Sequence, residues 1–251
     1  MYKKLLDGKK AVFFDLDGTV VKETEELMIN AIQKVLDEDL EASYINAKDY
    51  KLDGLPVSES WKAILSVNKE ITDKKADELT DLTNKAYVEI IKTSEIEPTE
   101  GFWSLVYELK EEKSFKLALL TNTSKSVADV VVDKLDIRDT FDLIICGDEV
   151  KRIKPNPEIY KKALKVLKLK PKDVLAFEDS PVGVEAALKA KISTVVIWDE
   201  KVPKYLFKKG IVDYFADFSP LPGNLDETHI ESLRRKYKEV EEAKKKPASL
   251  N

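Results

Sequence analysis

Ala11-Val12-Phe13-Phe14-Asp15-Leu16-Asp17-Gly18-Thr19 is a four-residue apolar run that breaks off at two aspartates. Three other runs have the same form. Leu117–Leu120 (LALL) stops at Thr121-Asn122, and Val174–Phe177 (VLAF) stops at Glu178-Asp179-Ser180. Leu143–Cys146 (LIIC) leads within one short loop to Lys154-Pro155-Asn156-Pro157. Short apolar runs separated by longer helix-patterned stretches predict repeated βα units around a parallel sheet, an α/β fold. In such sheets ligands bind at the carboxyl ends of the strands. Four strand ends then bring carboxylates, a hydroxyl and an ammonium into one crevice. That set suits a phosphoryl group handled with a divalent metal.

A length of 251 residues fits one large domain, or a core with a smaller insert, and 43% hydrophobic residues are enough for a sizeable core. The net charge of −5 gives no electrostatic footprint for nucleic acid or an anionic membrane. The only cysteine, Cys146, rules out an intrachain disulfide and predicts a cytoplasmic protein. Its place at the end of an apolar strand predicts a buried thiol, not a nucleophile. The only histidine, His229, lies in a polar stretch, so neither a His-based metal centre nor a catalytic triad can be built. The opening MYKKLLDGKK lacks the apolar segment of a signal peptide, and no run reaches the length of a membrane span.

After Thr19 the strand–helix alternation stops, and the pattern up to Ser94 is helical throughout. Thr24, Ser58 and Thr72 are the expected starts of three helices. Residues 23–94 therefore read as a small all-helical domain inserted near the strand ends, with hinges at 20–23 and 93–98. Residues 1–22 and 95–222 form the expected core, and 223–251 a charged, helix-prone tail. Trp61, Tyr50 and the loop Leu52–Glu59 are the insert positions expected to face a substrate.

The segment Asp15-Leu16-Asp17-Gly18-Thr19-Val20, directly after its strand, resembles the first signature of the haloacid dehalogenase superfamily. Thr121-Asn122 is similar to the second signature, Lys154-Pro155-x-Pro157 to the third, and Glu178-Asp179-Ser180-x-x-Gly183 to the fourth. The helical insert resembles the cap of the branch that holds β-phosphoglucomutase and phosphoglycolate-type phosphatases. The resemblance implies a Rossmann-like core sheet. Ile153 stands where a glycine often precedes the motif lysine, and Lys191 where a glycine often ends the last motif's helix.

Residue chemistry and resemblance agree on the roles. Asp15 is the expected nucleophile, forming an aspartyl-phosphate. Asp17 is placed to protonate the leaving oxygen and then to activate water. Thr121 and Lys154 complete the catalytic set by holding and neutralising the phosphoryl oxygens. Asp15, Leu16, Asp17, Thr121, Asn122 and Lys154 are expected to bind the phosphate. Asp15, Glu178, Asp179 and the backbone carbonyl of Asp17 are expected to hold Mg²⁺, with Glu178 either a direct or an outer ligand. Asp148 is a candidate for orienting Lys154. The expected activity is Mg²⁺-dependent hydrolysis of a small phosphorylated metabolite by a monomer or weak dimer, with no nucleic-acid or membrane partner.

The alternative is a β-phosphoglucomutase-like phosphomutase. Such enzymes resemble this chain but carry an arginine in the cap loop where Val57 stands, and a histidine near the apolar Leu27 and Met28. Lys51 and Lys62 flank that loop and are the candidate substitute charges.

Overall fold

The structure, a computed structural model, describes residues 2–50, 52, 55–112 and 114–221, and beyond these residues 228, 231, 232, 235 and 236. After a short helix α1 (Tyr2–Leu5), the described strands are β1 (Ala11–Phe14), β2 (Lys116–Leu120), β3 (Leu143–Ile145), β4 (Val174–Glu178), β5 (Ser193–Ile197) and β6 (Asp213–Phe215). They form one parallel sheet in the order β3-β2-β1-β4-β5-β6. β1, the strand that ends in the two aspartates, lies at the centre.

Strand side chains alternate between faces, so each apolar run feeds two cores. Val12, Phe14, Leu175 and Phe177 pack on one face, together with α5 (Phe102–Tyr107) and α6 (Lys125–Lys134). Ala11, Phe13, Val174 and Ala176 pack on the other, with α7 (Glu158–Leu167) and α8 (Pro181–Lys189). The first core is aromatic: Phe102, Phe141, Phe177 and Phe218 surround Phe14 at centroid distances of 6.0, 6.1, 5.4 and 5.8 Å. Each such pair adds about 0.5–1.5 kcal/mol beyond the area it buries. The same alternation sets the site. One step past Phe14, Asp15 continues the face of Ala11 and Phe13. Glu178 likewise continues the face of Val174 and Ala176, so the two carboxylates meet on the α7–α8 side.

Between β1 and β2 the described residues are helical or irregular. They include α2 (Thr24–Lys34), α3 (Val57–Val67) and α4 (Ala76–Thr93), with α4 packed on both α2 and α3. The three expected helix starts differ in detail. Thr24 is the first residue of α2, and its hydroxyl donates to the Val21 carbonyl at 3.2 Å rather than capping the helix. Extended Pro56 launches α3 directly, which places Ser58 inside the first turn. Thr72 accepts from the Lys74 N–H at 3.0 Å, a local turn that delays α4 until Ala76. The two connections to the insert are tied together, since Thr99 donates from its N–H to Val20 (2.7 Å) and from its hydroxyl to Thr19 (2.8 Å).

No helix among the described residues is long and apolar enough to cross a membrane. The expected tail, His229 included, falls outside the described residues except at five positions, all with helical backbone.

Candidate active site

Lys154 is the centre of the site. Its ammonium is buried and donates to Asp15 Oδ1, Glu178 Oε1 and the Leu120 carbonyl, each at 2.7 Å. Burial alone would push Lys154 down. The charges of Asp15 and Glu178 outweigh it, and the net shift is upward. A lysine between two carboxylates is thus held fully cationic at the end of β2. Its loop is positioned by Asn122, whose Oδ1 accepts from the Lys154 N–H (2.8 Å) and whose Nδ2 donates to the Lys154 carbonyl (3.3 Å). The Lys154–Pro155 peptide is cis. Asp148, a candidate for orienting Lys154, is not among the partners of its ammonium. It accepts from the Lys125 N–H at 3.0 Å, where its charge serves the N-terminus of α6.

Asp17 sits in a different environment from Asp15, only two residues away. Its Oδ2 accepts from the Thr123 hydroxyl at 2.6 Å and from Thr121 at 3.4 Å. Burial pushes the Asp17 carboxyl up, the Thr123 hydrogen bond resists, and the charge of Asp15 adds to the rise. The turn between the aspartates and Thr19 requires Gly18, which has φ +76° and lies so close to Asp179 that a Cβ would enter the carboxylate. Gly183 on α8 makes the same allowance for Glu178. Thr19 donates to Asp179 Oδ1 at 3.2 Å.

One oxygen each of Asp15, Glu178 and Asp179 lies within 4.8 Å of the others. Burial raises the carboxyls of both Glu178 and Asp179, and the charge of Asp15 raises them further. Glu178 Oε2 is buried and has no hydrogen-bond partner among the described residues. Three crowded acids with one orphaned oxygen fit a hard divalent cation, which takes oxygen ligands and offsets their repulsion. The Asp17 carboxylate is not in this cluster, and the sequence reading gave its backbone carbonyl, not its side chain, to the metal.

Two residues of the site had escaped the sequence reading. Thr123 holds Asp17, and its only signal was a second hydroxyl two positions after Thr121. Tyr160, in α7, donates its hydroxyl to Glu178 Oε1 from a fully buried position. A buried tyrosine needs a polar partner, and that was the available signal. Two expected substrate-facing residues lie elsewhere. Trp61 is buried inside the insert, its Nε1 donating to Thr83 at 2.8 Å, and the Tyr50 hydroxyl accepts from Asn68 at 2.6 Å. The Cys146 thiol is buried and pushed up to about 12, first by burial, as expected for an inert core residue.

Above the carboxylates is a cavity of about 250 Å³, bounded below by the strand ends and above by α2, α3 and α4. Asp15, Asp17, Thr121, Asn122, Lys154 and Asp179 all line it.

This parallel βα core, with a helical insert over a Lys-bridged carboxylate site, defines a class. Residues 12–197 match the family model of the haloacid dehalogenase-like hydrolases, and the chain belongs to that family. Among curated relatives it is 34% identical over 188 residues to "Phosphorylated carbohydrates phosphatase" of Thermotoga maritima, covering 74% of this chain and 83% of that one. It is 31% identical over 195 residues to "Protein CbbY" of Rhodobacter capsulatus, covering 74% and 84%. Among solved structures, CbbY from Rhodobacter sphaeroides in complex with phosphate superposes with a TM-score of 0.69 at 25% identity, covering 85% of this chain and 96% of that one.

Proposed function

We propose that this chain is a Mg²⁺-dependent phosphatase that hydrolyses a small phosphomonoester through an aspartyl-phosphate on Asp15. The observation that carries the reading is the contrast between its two aspartates. Asp15 faces the Lys154 ammonium at 2.7 Å, whereas Asp17 faces two hydroxyls and is pushed upward. The first environment suits a nucleophile and the second a proton carrier. Family membership and the phosphatase named among its relatives point the same way.

In this mechanism an Asp15 oxygen attacks phosphorus, and the bond to the leaving alcohol oxygen breaks as Asp17 delivers its proton to that oxygen. Asp17 then takes a proton from water, the water oxygen attacks phosphorus, and the Asp15 ester bond breaks to release phosphate. Lys154 and Thr121 hold the non-bridging oxygens, where their fixed donors are worth more than water. Thr123 and Asn122 position Asp17 and Lys154. Asp15, Glu178 and Asp179, with the Asp17 backbone carbonyl, would hold Mg²⁺, which supplies charge neutralisation at the phosphoryl group.

Hydrolysis is favoured over phosphoryl migration because Met28 and Val57 line the cavity where a mutase needs groups that grip a second phosphate. Of the two candidate substitute charges, Lys62 is paired with Glu59 at 2.7 Å on the exposed side of α3, and Lys51 lies outside the described residues. The test is turnover of p-nitrophenyl phosphate and of phosphorylated metabolites before and after chelation. EDTA should silence the enzyme, Mg²⁺ should restore it, and Ca²⁺ should restore it poorly because its looser shell misplaces the nucleophile. Undiminished turnover after exhaustive EDTA treatment contradicts the metal assignment.

A further inference from the structure

The cavity's upper half differs in kind from its floor. The floor carries the phosphate-site charges. Above it, Met28, Ile29 and Ile32 of α2 line the space together with Leu55 and Val57 and make its surface there apolar. Apart from Glu25, the polar side chains on the insert side of the lining are few and neutral. Thr24, Thr80 and Ser60 donate to backbone carbonyls three or four residues earlier, Val21 at 3.2 Å, Ala76 at 2.7 Å and Pro56 at 3.3 Å. Asn84 of α4 and Ser58 of α3 are left as the amide and hydroxyl that line the cavity and can serve a ligand.

Among the described residues, Lys154 is the only cation in the lining, and it is bound to Asp15 and Glu178 on the floor. Among the described residues, the only charged side chain on the insert side of the lining is Glu25, in the first turn of α2, and it is paired with Lys201 at 3.6 Å.

We infer that the leaving group is a small uncharged alcohol with one apolar face and one hydroxylated edge, the monophosphate of a neutral polyol or sugar. This rests on the phosphatase reading above and adds the substrate class. A carboxylate or second phosphate on the leaving group would enter a space whose described lining has no cation to receive it. A buried anion without a partner is strongly disfavoured. An alcohol has none of these costs. Its carbon face packs on the α2 wall, and its hydroxyls meet the Asn84 amide, which offers both a donor and an acceptor. The volume of about 250 Å³ lies near the small end of ligand pockets, roughly 300–1,000 Å³, which favours a metabolite of sugar size.

The experiment compares kcat/KM, at saturating Mg²⁺, for two sets of substrates. The neutral set is glucose 6-phosphate, sorbitol 6-phosphate and glycerol 3-phosphate. The anionic set is phosphoglycolate, pyrophosphate and glucose 1,6-bisphosphate. The best neutral substrate should exceed the best anionic one at least tenfold. V57R, which puts a guanidinium into the wall, should narrow the gap for the bisphosphate by roughly tenfold. An anionic substrate that equals or beats the neutral set overturns the inference and leaves the phosphatase reading standing. If neither set is hydrolysed and p-nitrophenyl phosphate is also inert, both readings fall.

Discussion

Asp15 and Asp17 are two residues apart and share one turn, yet they are expected to fail differently when changed. D15N keeps the size of the side chain but removes the nucleophile and one carboxylate of the acidic cluster. Turnover should fall by about four decades or more with the fold intact, as for other groups that act as a unit in covalent catalysis. Rapid-quench assays on a contaminant-free preparation measure this, and full activity in the folded variant would refute the mechanism. Thr123 supplies a finer test. Its hydroxyl lies 2.6 Å from Asp17 Oδ2, so T123V leaves the carboxylate present but poorly held. We expect kcat to drop by roughly one to two decades with KM little changed, the usual cost of losing an orienting hydrogen bond. A variant that loses only KM would show that Thr123 binds substrate and does not position Asp17.

At the scale of elements, the end of α8 makes a stability prediction. Lys191 follows the helix with φ +63°, the left-handed conformation that glycine adopts without penalty. An L-residue there costs about 1–2 kcal/mol, and glycine returns about half of that in chain entropy. K191G should therefore stabilise the fold by about 0.5–1 kcal/mol, a rise in Tm of roughly 1–4 °C by calorimetry. The sequence carried a hint of this, because a glycine often stands at that position in the family. Strands β1, β2 and β4 were legible for a simple reason: each is a short, largely apolar and buried run that ends at a charged or hydroxylic residue. β1 and the positions of Asp15, Glu178 and Asp179 follow from that pattern, whereas Lys154, in the loop beyond β3, was placed with the help of the family resemblance. The helix starts in the insert were harder to read, because Glu23, Pro56 and Lys75 hold the cap positions with no side chain of their own accepting a capping bond, and the nearby Thr24 and Thr72 serve other bonds. Asp148 and Trp61 were misplaced because their partners, Lys125 and Thr83, are settled by tertiary packing that one-dimensional spacing does not encode.

For the whole molecule, the insert and core are joined by two strands of chain that Thr99 laces together, and the catalytic cavity opens between them. We expect the insert to close while the phosphoryl group moves and to open for the alcohol to leave and water to enter. Limited proteolysis checks this: beryllium fluoride with Mg²⁺ should slow cleavage at 20–23 and 93–98, and an unchanged digestion pattern at saturating ligand would place the hinges elsewhere. The sheet order also has a consequence for how the protein is made. Ala11 of the central strand is in register with Lys116 on one side and with Val174 on the other. On a ribosome adding roughly 5–20 residues per second, β1 therefore waits on the order of ten to thirty seconds for its second neighbour. During that wait a strand of Ala, Val and two Phe has at least one bare edge, the form of chain most prone to pair with its copies. α2, α3 and α4 are translated in the same interval and pack on one another, so the insert can assemble while the sheet is still incomplete. Nascent chains arrested before residue 174 should accordingly bind chaperones through residues 11–14, and release should come only when β4 has emerged.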